Sequence, residues 1–357
     1  MPYASLPNNP FSTGGKIEDT RLFIGRTEEL HAIAAGMQNV QPTNINIVGD
    51  KHIGKSWLLY YFFLTWEQRV LDRNRYIVVY LSLRNANCQT EAGFYQAVAD
   101  ALQSCLGALQ FNLKNPLKTK PLNRQAFSNA IKQWKQQKVL PVLCLDDFDR
   151  LFRHPQEFDD GFYDNLRSLM EDNALMLVLA SGKSLKVYGS EHRFVSSFFN
   201  IAHTVELQEL TTDEAIQLTR LPISSVNNTP ALSVEEQEKA QKWGKRYPHK
   251  LQLAGYYLWE ARQQGKSIKW AKEKFDQQIA DSQQQGKKLG WKSLLGWLWD
   301  IPLHLGRLAT NIGGNWDDFQ NRIIGMFILV VIGLGLVRVL PLPDVKQWLE
   351  RIFNFVK

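Results

Sequence analysis

Cysteine is scarce: Cys88, Cys105 and Cys144 are the only three in 357 residues, odd in number, widely spaced and without a C-x-x-C pair. That argues against a disulfide framework or a zinc site and fits a reducing cytosol. The opening of a secreted protein is missing too, because "MPYASLPNNPFSTGGK" has neither a charged start nor an apolar core. Acids are absent between Asp100 and Asp146, where Lys114, Lys118, Lys120, Arg124, Lys132, Lys135 and Lys138 all fall. The sequence has no internal repeat and no convincing helix-turn-helix pattern. With 44% hydrophobic and 22% charged residues, general disorder is excluded as well. What is left is a globular chain with room for about two domains. Its net charge is +7 and its pI near 9.1, which points to an anionic partner: nucleotide, nucleic acid or anionic lipid.

The most informative stretch is "GDKHIGKS", which fits G-x-x-x-x-G-K-[ST] without a mismatch. Gly49, Asp50, Lys51, His52, Ile53 and Gly54 would turn successive N–H groups inward on phosphate oxygens. Lys55 would reach the β- and γ-phosphates, and the Ser56 hydroxyl would sit on Mg²⁺. "INIV" before it is short and β-branched, as in a buried strand, and "KSWLLYYFFLTWEQRVL" after it reads as a largely buried helix. Strand, glycine loop and helix together put a helix N-terminus under the phosphates.

Further strands are expected at Tyr76 to Leu83, in "VLPVLCLDD", "ALMLVLASG" and "FNIAHTVELQEL", alternating with helices. This pattern predicts an α/β fold: a parallel-sheet P-loop NTPase domain with helices on both faces. The expected organisation is an extended segment over 1–20, the nucleotide domain over 21–210 and a helical subdomain over 211–280. A linker with an interfacial amphipathic segment (281–322), a hydrophobic helix (323–340) and an amphipathic tail (341–357) follow.

"VLCLDDFD" runs an apolar strand into two acids. In P-loop enzymes an acid at such a strand end holds the metal, which assigns Asp146 to Mg²⁺ and Asp147 to the attacking water. Asp149 reads as a helix cap. Ser181, after the next strand, is a candidate contact for the γ-phosphate or the water, with a plain turn serine as the alternative. Arg193 is either a charge-sensing arginine or a solvated one.

"FIGRTEEL", "GDKHIGKS", "VLCLDDFD", "ASGKSL" and "RYPHKLQLAG" occur in an order and spacing that resemble AAA-like ATPases. The similarity is greatest to bacterial members of the signal-transducing ATPases with numerous domains, the STAND class, and covers about Asn9 to Ala261. Phe23 and Ile24 resemble the family's box at the adenine edge. Tyr247-Pro248-His249 resembles its G-x-P element, which makes Pro248 a nucleotide contact, although Arg246 stands where glycine is expected. The resemblance implies ATP and Mg²⁺ as ligands, slow hydrolysis and assembly into homo-oligomers on a protein or nucleic-acid trigger. Two aspartates at the strand end, in place of aspartate and glutamate, go in that class with switching.

"IIGMFILVVIGLGLV", Ile323 to Val337, is uncharged between Arg322 and Arg338. It approaches the ~20 residues of a bilayer crossing, and Trp-rich flanks resemble interfacial helices. A buried helix is the alternative. The leading expectation is a membrane-associated ATPase switch, its nucleotide domain cytoplasmic, contacting lipid and serving bacterial signalling or defence. The competing expectations are a DNA-associated AAA-like ATPase (a loader or transposition regulator) and a small-molecule P-loop kinase.

Overall fold

The computed structural model describes residues 9–14, 19–108, 122–223 and 228–282. The chain divides into two compact units, Met1–Lys272 and Glu273–Lys357. The first holds five strands: β1 (Ile45–Val48), β2 (Tyr76–Ser82), β3 (Leu140–Asp146), β4 (Met176–Ala180) and β5 (His203–Glu206). They form one sheet in the order β2-β3-β4-β1-β5, every pair parallel. The expected α/β parallel-sheet fold is therefore the observed one.

β1, β3 and β4 read as nearly continuous apolar runs because helices cover both faces of the sheet. Alternate side chains feed two cores. Ile77, Val79, Leu143, Leu145, Leu177 and Leu179 pack against Phe94, Tyr95, Phe127, Trp134, Phe162 and Leu166. These come from α3 (Glu91–Ala108), α4 (Arg124–Gln136) and α5 (Asp160–Glu171). On the other face Val78, Val142, Cys144, Met176 and Val178 meet Ile33, Met37, Leu58 and Phe62, which belong to α1 (Thr27–Gln38) and α2 (Lys55–Thr65).

One polar residue interrupts this interior. Asn46, in the middle of β1, is fully buried, and an unpaired amide there would cost ~1–3 kcal/mol. Both its ends are satisfied. Its Nδ2 donates to Ser181 Oγ at 2.8 Å, and its Oδ1 accepts the Leu185 N–H at 3.0 Å. Asn46 thereby fixes the turn between β4 and α6 (Leu185–His192) beside the loop strand.

After β5 the chain is helical: α7 (Thr212–Thr219), α8 (Val234–Gly244) and α9 (Pro248–Gln263). Thr211 with Glu214 and Ser233 with Glu236 form reciprocal capping boxes that start α7 and α8. Pro248 opens α9 at a first-turn position that needs no N–H donor.

Two expectations change. Asp149 is not a cap: Asp147 takes the N-cap position of the 3-10 turn Phe148–Arg153, and Asp149 lies inside its first turn. The basic run is in part ion-paired where it is described. Arg124 pairs with Glu91 and Asp159, Lys132 pairs with Asp172, and Lys135 donates to the Asp172 carbonyl. Those partners come from other elements, so the acid-free stretch is not an acid-free surface. Lys114, Lys118, Lys120 and the hydrophobic run Ile323 to Val337 lie outside the described residues. Among the described residues no helix is long and apolar enough to cross a membrane.

Candidate nucleotide site

β1 stops at Val48, and α2 begins seven residues later at Lys55. The turn between them depends on two glycines. Gly49 has φ +145°, and a Cβ there would lie 2.9 Å from the Leu207 carbonyl oxygen. Gly54 caps α2 at φ +106° with open space around it. Side chains rarely adopt either conformation. Ile53 anchors the loop in the core, leaving the backbone N–H groups of its far end at the positive end of α2.

The loop brings together the residues expected to handle phosphate and metal. Lys55 Nζ donates to the Gly49 and Asp50 carbonyls at 2.7 and 2.8 Å, which leaves one ammonium proton for a phosphate oxygen. Burial pushes its pKa down, opposed by Asp149, Asp146 and Asp147. Ser56 Oγ donates to Asp146 Oδ1 at 3.0 Å. Asp146 Oδ2 accepts from Tyr80 at 2.7 Å, and Oδ1 also accepts the Asp147 N–H at 3.0 Å. Burial raises the Asp146 carboxyl above its ordinary range, while the Tyr80 and Ser56 hydrogen bonds act the other way. A hydroxyl and a carboxylate 3.0 Å apart at the loop's end are a fitting donor pair for Mg²⁺, which completes its shell with water and phosphate oxygens. No cluster of three or more His, Cys, Asp or Glu side chains able to hold a metal occurs among the described residues.

Asp147 sits one residue beyond the strand in the left-handed conformation, φ +55°. Its carboxylate is held on both oxygens by Arg84, with Nη2 to Oδ1 at 2.9 Å and Nε to Oδ2 at 2.6 Å. The Arg84 charge also weighs, weakly, against protonation of His52. This residue was missing from the sequence reading. β2 and β3 pair with Ser82 opposite Asp146, so the residues just past each strand end meet only once the register is known.

Ser181 lies at the carboxyl end of β4, beside the loop strand, but its hydroxyl has other partners. It accepts from Asn46 and donates to the Lys183 carbonyl at 2.7 Å, and only 1% of the residue is exposed. Its single proton is committed within the turn, so the geometry gives Ser181 a part in shaping the site rather than in donating to phosphate. Arg193 caps the end of α6 at φ +58° and is exposed, well beyond that turn.

The adenine-edge and helical-subdomain residues also converge. Phe23 stacks on Tyr61 of α2 with ring centroids 4.0 Å apart and planes 9° from parallel, and Ile24 beside it is half-buried. Arg26, buried at the start of α1, donates to the carbonyls of Ile53 in the loop and Gln208 after β5, and to Glu29. The Arg26 N–H is accepted by Glu214 of α7. One arginine thus links the loop to the helical subdomain. Next to Pro248, the His249 ring stacks on His52 of the loop at 4.7 Å. The Arg246 guanidinium, at the position where glycine was expected, pairs with Glu209. An adjoining cleft of about 490 Å³ borders Gly49, Asp50, Lys183 and Glu206, but neither Lys55 nor Ser56.

Residues 38–186, from the end of α1 to the start of α6, match the family model described as an AAA domain. No curated protein matches the chain. Among solved structures the chain is similar to the Walker-type ATPase of Pyrococcus abyssi, with a TM-score of 0.58, 16% identity, and 93% of this chain and 90% of that one covered. It is also similar to the ORC2 protein of Aeropyrum pernix in its ADPNP–ADP complexes, with a TM-score of 0.52, 13% identity, and 74% and 72% covered. At such identities the likeness is one of fold. The family match spans the loop and both strand-end acids, which are the residues that the geometry assembles. Residues 38–186 are therefore similar to an AAA domain, and the parallel sheet with its glycine loop is a P-loop NTPase-like fold.

Proposed function

We propose that the protein is a slowly hydrolysing ATP switch whose nucleotide state sets the position of its helical subdomain, and that it works on DNA. The observation that carries the switch is the double clasp of Arg84 on Asp147. An acid neutralised by an arginine is a poor proton acceptor, so the resting site binds nucleotide with its hydrolytic group withheld. ATP and Mg²⁺ would be held by residues 49–56 and Asp146, with Phe23, Ile24 and Pro248 at the base and sugar side. Arg26 and the His52–His249 stack would pass the loop's state to α7 and α9.

DNA is the proposed partner, an anionic polymer that the net charge of +7 would attract to a fold shared with an ORC2 protein. The membrane alternative rests on Ile323 to Val337 and its Trp-rich flanks, which lie outside the described residues. The decisive measurement is binding of the full chain to duplex DNA across 50–200 mM salt, with ATP and with ADP. The expected result is an affinity that falls steeply with salt and differs between the two nucleotides. Equal, negligible binding in both states would remove DNA from the proposal, and an absence of ATP turnover would remove the switch.

A further inference from the structure

The N-terminal stretch is Pro- and Asn-rich, yet it is seated. Phe11 is 2% exposed. Its ring fills the space over Gly255 in the middle of α9, where a Cβ would overlap it. Hydrogen bonds fix the rest of the stretch. The Ser12 N–H donates to Gln252 Oε1 at 3.0 Å, and Gln252 is itself 97% buried, at 3% exposure. Asn9 Nδ2 donates to the Tyr256 carbonyl and to Glu260, each at 3.3 Å, while Asn9 Oδ1 accepts the Phe11 N–H at 3.0 Å. Four consecutive residues thus occupy one face of α9 through an aromatic anchor, a buried amide and a folded-back asparagine.

A glycine in mid-helix costs ~0.5–1 kcal/mol relative to alanine, so something must offset Gly255. The Phe11 ring fills that place. α9 is also the helix whose first turn touches the loop through His249, and the same N-terminal stretch is anchored on the nucleotide side where Phe23 stacks on α2. Only ten residues lie between Ser12 and Phe23, a reach of at most ~40 Å. The seat on α9 and the stack on α2 therefore lie within one short run of chain.

We propose that Gln252, Gly255, Tyr256 and Glu260 form a peptide-binding seat for an Asn-Pro-Phe-Ser segment. The chain's own residues 9–12 fill it in cis as a displaceable latch that keeps α9 against the nucleotide loop. The seat stands on its own geometry, whereas the effect on nucleotide release rests on the proposed switch.

The test uses full-length chains and a synthetic peptide of residues 6–15. Phe11→Ala empties the seat, so the peptide should bind this variant at least tenfold more tightly than it binds the parent, while a peptide carrying alanine at the Phe11 position should not bind. Gly255→Ala should lower the thermal midpoint, although alanine is the better helix former, and Gly255→Ala in the Phe11→Ala background should not lower it further. Release of a fluorescent ADP analogue should be several-fold faster from Phe11→Ala and should slow again when the peptide is added. Absence of peptide binding to Phe11→Ala, or a rise in the midpoint on Gly255→Ala in the parent, overturns the seat. Peptide binding with unchanged ADP release keeps the seat and overturns the latch. If the parent itself binds no nucleotide, the ATP reading fails while the peptide measurement still decides the seat.

Discussion

Two residues at the carboxyl ends of β3 and β2 set the chemistry available to this site. In the proposed switch Asp147 takes the proton from water, and Arg84 grips both its oxygens. The ion pair is partly open to solvent, with Arg84 64% exposed, so its worth is that of a surface pair, ~1 kcal/mol at most. Releasing Asp147 by Arg84→Ala should therefore raise basal ATP turnover by no more than about fivefold, since ~1.4 kcal/mol is a factor of ten. Asp147→Asn should do the opposite. The amide cannot accept a proton, so turnover should fall ~100-fold or more while ATP affinity stays near the parent's. Steady-state hydrolysis and calorimetric titration of both variants measure this. A drop in turnover for Arg84→Ala would mean that the guanidinium serves the phosphate instead of restraining the acid.

At the level of elements, the contact between loop and α9 depends on two imidazoles remaining neutral. Burial and the neighbouring His249, with Lys51, Lys55 and Arg84, push the His52 pKa down to about 4, and burial with Lys250 pushes His249 down as well. The ordinary histidine value is about 6.5, so the unfolded chain takes up these protons before the folded one does. Stability is then fully present above about pH 6.5 and declines as pH falls from there toward 4. Thermal midpoints should drop between pH 7 and pH 5, and His52→Asn, which tolerates the positive φ, should shrink that drop. A pH profile identical to the parent's would separate the stack from stability. This pairing shows where sequence reading stops. The glycine loop, the strand feeding it and Asp146 were legible because each is local, a spacing within ten residues. The clasp of Arg84 on Asp147 depends on strand register, and His52 meets His249 only after α9 has docked. Ser181 was located correctly at its strand end, but its Asn46 partner lies on the neighbouring strand, far away in sequence. Phe11 was hidden for another reason: a single aromatic among Asn, Pro and Ser carries no periodicity, so the stretch reads as merely extended.

For the molecule as a whole, ligand binding and folding should be linked. A nucleotide that binds only the folded unit adds about 2.7 kcal/mol of stability at a hundredfold excess over Kd. For a unit of this size, ~2–4 °C per kcal/mol makes that a rise of about 5–10 °C in Tm. Lys55→Ala removes the charge proposed to meet the β- and γ-phosphates and should abolish most of the rise at the same nucleotide concentration, which differential scanning fluorimetry can follow. The α/β architecture was readable from alternating strand and helix signals, whereas the strand order was not, because it depends on contacts between distant segments. That order has a consequence for how the protein is made. β1 carries the phosphate loop, yet its hydrogen-bonding neighbours are β4 and β5, with Ile45 beside Val178 and His203. A ribosome that has produced the loop must still deliver well over a hundred residues before either flank of that strand exists. Nascent chains stalled before Met176 should fail to retain ATP, and chains stalled after α7 has emerged should retain it. Nucleotide capture would then mark the completion of the domain during synthesis.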